Sequence, residues 1–478
     1  MKKLRLLFLA LGPLLFLITL QLQHSSYLSP DIWKVLAVAV WMVVWWITEA
    51  APIAVTALLP MVLLPMLEIF KVSEATTPYA SPIIFLFMGG FMIALGLEKH
   101  NLHLRIALNL IKVTGTSGNG IILGFMLATA LLSMWISNTA TAVMMLPVAS
   151  SVVSLLSEGS HELKKSQKRF ALGLMLIIAY SANIGGTITL IGTPPNVVMT
   201  GYLNEMLNYE MLFSRWLIIG APTGIFLLFI TYLLITRVLY PNNLKKIEGS
   251  EVLIYNKLKE IGSISKQEKL VLAIFTLTAV CWIFKSQINA LIGKDLLSDT
   301  TTAMTGGILM FITPVSITKV TFLLKWEDTK KLPWGILILF GGGMCLARSL
   351  EQVGIIQAIG AYVADYKGIS VLMLIGIITT MVLFLTEIMS NVALVTIFIP
   401  VAIGMAQGLG IDPLLLVIPS TLASSCAFMM PISTPPNAIV FASGHIKMKE
   451  MMKAGLLLNL LAIIFLTLIT YLMVEKFF

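Results

Sequence analysis

Apolar runs of about 20 residues, long enough to cross a bilayer as helices, recur along the whole chain. They fall near 6–23, 31–50, 52–70, 82–97, 172–205, 216–240, 268–293, 299–318, 334–350, 414–443 and 452–475. The runs do not alternate apolar and polar residues as barrel strands do. Two further apolar regions, 119–156 and 369–408, are each about 40 residues long and hold a polar cluster near the middle. Each could be two full spans, or a re-entrant hairpin that enters and leaves on one side. The stretches 98–112 and 351–367 are short and amphipathic. Each could lie flat in an interface or serve as a polar connector.

Composition narrows the class. The 478 residues are 58% hydrophobic and only 12% charged, against about 25% charged in soluble domains. That excludes a soluble enzyme, a disordered chain and a nucleic-acid binder. The net charge of +9 does not restore the last, because the basic residues sit in short loops. Those loops carry Lys164, Lys165, Lys168 and Arg169; Lys245, Lys246, Lys257, Lys259, Lys266 and Lys269; Lys325, Lys330 and Lys331; and Lys447, Lys449 and Lys453. With a cytoplasmic N-terminus and each two-limbed region a same-side excursion, all four basic loops fall inside. The loop with Glu205 and Glu210 then falls outside, as does the C-terminus, after about eleven spans. The segment 1–20 has the charge and apolar run of a signal peptide but no cleavage site, so it reads as a retained span. Cys281, Cys345 and Cys426 lie in apolar segments and suggest no disulfide framework.

The chain repeats itself. Phe87, Gly89, Gly90, Ala94, Leu97 and Glu98 recur at a constant offset of 253 as Phe340, Gly342, Gly343, Ala347, Leu350 and Glu351. The same register carries Ser137-Asn138 onto Ser390-Asn391, Pro147 onto Pro400, and Ser133 onto Thr386. Thr193-Pro194-Pro195-Asn196 recurs as Thr434-Pro435-Pro436-Asn437, 12 residues closer, which places the deletion at the charged loop 158–170. An odd number of spans between copies, and a loop that is basic in one copy and not in the other, describe an inverted repeat. The chain divides into 1–30, a first repeat over 31–240, a cytoplasmic linker over 241–267 and a second repeat over 268–478.

Each copy holds two polar, broken elements. One is the Ser-Asn step of a two-limbed region, where hydroxyls, an amide and free backbone groups suit a hard cation beside an anion. Ser133 and Ser137, and likewise Thr386 and Ser390, are spaced to share one helical face. The other is the Pro-Pro break, which unwinds a span. It frees carbonyls for a cation and half-helix N-termini for an anion. A single Ser-Asn pair is often interhelical glue, and a single break often a kink; duplication of both in register argues for a site. Gly89, Gly90, Gly342 and Gly343 read as close-packing positions. Ionisable residues within apolar segments are Glu49, Lys285, Arg348 and Glu387. Glu387 has Met134 as its counterpart, and could line the site or brace the hairpin.

At these motifs the sequence resembles the divalent anion/sodium symporter family, also called DASS or INDY transporters. The resemblance covers nearly the whole chain after the first span, including Trp46-Ile47-Thr48-Glu49-Ala50-Ala51-Pro52. It implies an all-α polytopic membrane protein with eleven transmembrane helices, two re-entrant hairpins, two interfacial helices and a homodimeric elevator mechanism in a bacterial inner membrane. It implies Na⁺ sites at Ser133, Ser137, Asn138 and Gly192, and at Thr386, Met389, Asn391 and Ser433. Substrate carboxylates would meet Asn138, Thr139, Thr193, Ser390, Asn391, Thr434 and Pro435, with Val392 where the first copy has Thr139. Neither motif contains Lys or Arg, and a dianion in a cationless, desolvated site is costly. The expectation is therefore Na⁺-coupled uptake of a C4-dicarboxylate such as succinate, malate or fumarate. A Na⁺-independent exchanger and a citrate or sulfate carrier are rivals on the same fold. An intramembrane enzyme would need a nucleophile, base or metal set that is not present. A channel suits two matched sites around an inverted axis less well.

Overall fold

A computed structural model describes residues 2–24, 28–156, 161–316, 318, 320–364 and 370–478. Residue 1, the first part of the charged loop 158–170 and the end of the 351–367 stretch lie outside these. Nearly all the described chain is helical; a two-stranded ribbon, Pro314–Ser316 against Thr321–Phe322, is the one sheet among the described residues. Among those residues, seven helices are long and apolar enough to cross a bilayer. A further pair, Lys266–Ile283 and Lys285–Ile292, is bent by 79°. With each broken pair counted as one crossing and each hairpin as none, the helices sort into the eleven expected crossings.

The open choice for the two-limbed regions is settled by where their midpoints go. Hairpin 1 is formed by Gly118–Ser133 and Asn138–Ser154, hairpin 2 by Val371–Leu385 and Asn391–Leu409. Their tips line one cavity together with the breaks in two other helices, so each pair of limbs turns back inside the protein. Both hairpins start with the same device. Ser117 Oγ accepts from the Gly120 amide at 3.0 Å, and Ser370 Oγ from the Met373 amide at 3.3 Å. These are N-caps that satisfy an otherwise orphaned donor, and they keep the 253-residue offset.

The repeat appears as packing. Phe87 and Phe340 are equivalent positions, and their rings meet edge-to-face with centroids 5.7 Å apart. Equivalent residues in mutual contact place the pseudo-two-fold axis between them. Beside that axis a Cβ on Gly89 would strike the Ala303 backbone, and one on Gly342 the Ala57 backbone. The close-packing expectation thus holds for both against backbone. Gly90 and Gly343 instead face side chains, Ile191 and Thr396.

Two expectations need refinement. The linker 241–267 is not a free loop. It holds the helix Ser250–Ile261, and its start clamps the base of hairpin 1 through Gly118 N–H to the Leu244 carbonyl at 2.8 Å and Ile247 N–H to the Thr116 carbonyl at 2.9 Å. The amphipathic stretches form short helices, Leu102–Val113 and Ile355–Ala364, packed against the limbs of hairpin 1 and hairpin 2 respectively.

Candidate functional site

Ser133 ends the first limb of hairpin 1, and Asn138 opens the second. The reading that Ser133 and Ser137 share one helical face is therefore wrong. The helix stops between them, and Ser137 is the cap of the next helix, its Oγ accepting from the Ala140 amide at 3.2 Å. Thr386 and Ser390 are separated in the same way.

What the turn achieves is a knot of oxygens. Ser133 Oγ lies 2.6 Å from Asn138 Oδ1 and 2.7 Å from the Ala182 carbonyl. In hairpin 2, Thr386 Oγ1 lies 2.7 Å from Asn391 Oδ1 and 2.6 Å from the Ser424 carbonyl. With the asparagine oxygen turned inward, the hydroxyl, which has one hydrogen, donates to one of its two acceptors and leaves the other contact without a proton. Each knot is buried, neutral and short of hydrogen-bond donors. Those properties favour a hard cation.

The breaks lie against the tips. The first separates His161–Ile188 from Pro194–Leu207, the second Leu414–Ser424 from Pro435–Ala442. Unwound carbonyls are held by the asparagine that follows each Pro-Pro. The Asn196 amide group donates to the Thr189 carbonyl at 2.8 Å, and that of Asn437 to the Ala427 and Met430 carbonyls, both at 3.0 Å. The expected anion donors at the break helices are not there. Prolines occupy their first two positions and carry no N–H. The second limbs open at Asn138 and Thr139 and at Asn391 and Val392, residues on the cavity wall, and the first amides of a helix have no intrahelical acceptor.

The tips and breaks enclose a cavity of about 840 Å³. Its wall includes Ser137, Asn138, Thr139, Gly192, Thr193, Met389, Ser390, Asn391, Val392, Ser433, Thr434 and Pro435. Ser133 and Thr386 sit behind it, fully buried. Every site residue read from the sequence, six from the first repeat and eight from the second, is thus brought together around one space. The cavity extends to Glu49, Glu98 and Lys331. Among the described residues, Lys331 is the one basic side chain in its wall.

Glu387 braces. Its carboxylate accepts from the amides of Phe428, Met429 and Met430 at 2.8, 2.9 and 3.1 Å, and from Asn459 Nδ2 at 2.8 Å. The other intramembrane charges are divided. Lys285 is paired with Asp299 at 3.0 Å, while Asp299 also accepts from the Phe213 amide at 2.8 Å. Arg348 lies over the Phe70 ring, and Glu49 ends the helix Pro30–Thr48 at the cavity wall in a left-handed conformation. Sequence reasoning missed Asn183, a buried amide on the wall of the cavity. Its only signal was a single amide in a long apolar helix.

This geometry meets the comparisons with known proteins. The sodium:sulfate symporter transmembrane region matches residues 3–475. The chain belongs to the sodium:sulfate symporter family. It is 41% identical over 470 residues to the sodium-dependent dicarboxylate transporter SdcS of Staphylococcus saprophyticus, covering 98% of this chain and 91% of that one. To SdcS of Staphylococcus aureus strain USA300 it is 41% identical over 477 residues, covering 97% and 90%. Among solved structures, the Alcanivorax borkumensis YdaH transporter matches with a TM-score of 0.60 at 13% identity, covering 86% of this chain and 88% of that one. Neisseria gonorrhoeae MtrF matches with a TM-score of 0.56 at 12% identity, covering 84% and 83%. At such identities these two speak for the fold alone. As a member of the sodium:sulfate symporter family, the chain is a multi-pass membrane transporter and not an enzyme.

Proposed function

We propose that the protein couples Na⁺ entry to uptake of a C4-dicarboxylate of the succinate, malate or fumarate type. The observation that carries this is the pair of matching oxygen knots facing one cavity whose tips and breaks bring no Lys or Arg. The SdcS relatives, named as sodium-dependent dicarboxylate transporters, support the same ion and substrate class. One Na⁺ binds at Ser133, Ser137, Asn138 and the Gly192 carbonyl. The other binds at Thr386, Asn391 and the carbonyls of Met389 and Ser433. Substrate carboxylates then take donors from Asn138, Thr139, Thr193, Ser390, Asn391 and Thr434, beside Val392 and Pro435, with the bound cations offsetting their charge.

Movement follows from two bodies. The hairpins and breaks tie to one another across the repeats, through Asn183 to Thr434 at 3.1 Å for example. The Gly89 and Gly342 spans tie instead to Ala303 and Ala57. The first body carries the site past the second in an elevator motion. Loop charges put Glu49, Glu98 and Lys331 on the cytoplasmic side, so this cavity is the inward-open one. The family resemblance extends the reading to a homodimer in a bacterial cell membrane, with the N-terminus inside and the C-terminus outside.

The test is succinate uptake into proteoliposomes with Na⁺ replaced by choline or K⁺. Uptake is expected to fall to background. Uptake that is unchanged overturns Na⁺ coupling.

A further inference from the structure

We infer that Asn183 is a positioning residue that turns the Thr434 hydroxyl into a hydrogen-bond donor aimed at a substrate carboxylate. The inference rests on the placement of Thr434 at the substrate given above, and it assigns the atom that makes the contact.

The orientation of three side chains follows in order from groups that can only accept. The Asn437 amide nitrogen sits 3.0 Å from each of two carbonyls, Ala427 and Met430. Carbonyls do not donate, so this end of Asn437 is its NH₂, and its Oδ1 faces the other way. There it lies 3.4 Å from Asn183, which also lies 3.3 Å from the Ala427 carbonyl. Two acceptors require that Asn183 present its own NH₂. That NH₂ has two hydrogens for three acceptors, and Thr434 Oγ1, at 3.1 Å, is the nearest of them; Thr434 Oγ1 also accepts from the Asn437 backbone amide at 3.4 Å. Both lone pairs of the Thr434 hydroxyl are then engaged. Its hydrogen has one direction left, and Thr434 lies on the cavity wall. A hydroxyl forced to donate into a cavity without basic side chains at its tips is suited to an anion.

The other repeat shows what happens without the device. The Ser133 and Thr386 knots pair Ala182 with Ser424 and so Asn183 with Ser425, while the Thr-Pro-Pro-Asn register pairs Asn183 with Ser424; by either register the counterpart is a serine. Serine is too short to repeat the bridge. Asn196 Oδ1, which corresponds to Asn437 Oδ1, and Ser425 Oγ are both buried without a hydrogen-bond partner. Among the described residues, nothing engages the lone pairs of Thr193 as Thr434 is engaged, and Thr193 makes no side-chain cap bond to its helix. The two carboxylate ends of a substrate therefore meet unequal threonines: a fixed donor at Thr434 and a free rotor at Thr193.

The experiment is a double-mutant cycle read as KM and kcat for Na⁺-driven succinate uptake in proteoliposomes. Asn183→Ser, which copies the other repeat, and Thr434→Val are measured singly and together. Asn183→Ala serves as a second truncation with different packing. Each single variant is expected to raise KM about tenfold, the scale of one hydrogen bond to a charged group, with kcat within about twofold. The double variant is expected to raise KM no further than Thr434→Val alone, because the nitrogen acts only through that hydroxyl. Multiplying KM effects, or loss of kcat and thermal stability with KM unchanged, would overturn the inference. Absence of Na⁺-driven uptake in the parent protein would instead remove the functional reading beneath it.

Discussion

The two hairpin units have the same oxygen geometry and opposite surroundings. At tip 1, Trp135 enters an aromatic box: 4.9 Å and edge-on to Phe275, and stacked near Phe213 and Trp282 at 6.1 and 6.5 Å. Its counterpart at tip 2 is Ile388, 68% exposed. The break residues diverge in the same sense, with Ile191 7% and Ile432 76% exposed. Tip 1 is held from outside by rings. Tip 2 is held from behind, by the Glu387 carboxylate gripping the second break where tip 1 has Met134. Equivalent chemistry at the ligands is therefore compatible with unequal support. A unit whose face is open to the cavity needs its bracing on the far side.

Three pairs of substitutions test that comparison. The largest effect is expected where the units are alike. Asn138→Ala and Asn391→Ala each remove the amide oxygen from a knot, and each is expected to reduce uptake at least about a hundredfold, the scale of two lost ligand contacts, with expression and melting nearly unchanged. Robust uptake in either would mean that the knots are packing contacts. Next come the braces. Glu387→Met leaves three backbone amides and Asn459 without their acceptor, at a cost of about 3 kcal/mol or more, since each unpaired buried donor costs about 1–3 kcal/mol. The reverse exchange, Met134→Glu, buries a carboxylate where no such cradle is present and is expected to destabilise as well. Thermal unfolding in detergent reads both; a neutral Glu387→Met would remove the asymmetry of support. The smallest effect separates the tips' outer faces. Trp135→Ala is expected to cost about 2 kcal/mol, from ring pairs at about 0.5–1.5 kcal/mol each. Ile388→Ala is expected to leave the melting temperature within error. Equal losses would show that tip 2 is packed in a state other than the one described.

Much of the site was legible because repetition is a property of sequence. The Ser-Asn and Thr-Pro-Pro-Asn motifs were found by offset alone, and the structure gathers all of them around one cavity. Periodicity failed at Ser133 and Ser137, because four-residue spacing describes a helix only if the helix continues, and here it ends. Composition could not show that the prolines remove the N–H groups an anion would use. The sequence marked 241–267 only as a linker, because backbone hydrogen bonds to Thr116 and to Gly118 leave no trace in its polar residues.

By itself the sequence determined the membrane class, the repeat, its inversion and the residues of the candidate site. These follow from hydropathy, charge placement and self-similarity, which are additive along the chain. Tertiary structure alone decided which oxygens share a hydrogen, what Glu387 holds and why Asn183 matters. Those depend on groups up to 254 residues apart, as Asn183 and Asn437 are, meeting within hydrogen-bond reach. Hydrogen-bond direction is fixed by the full set of neighbours, and no local pattern along the chain records that set.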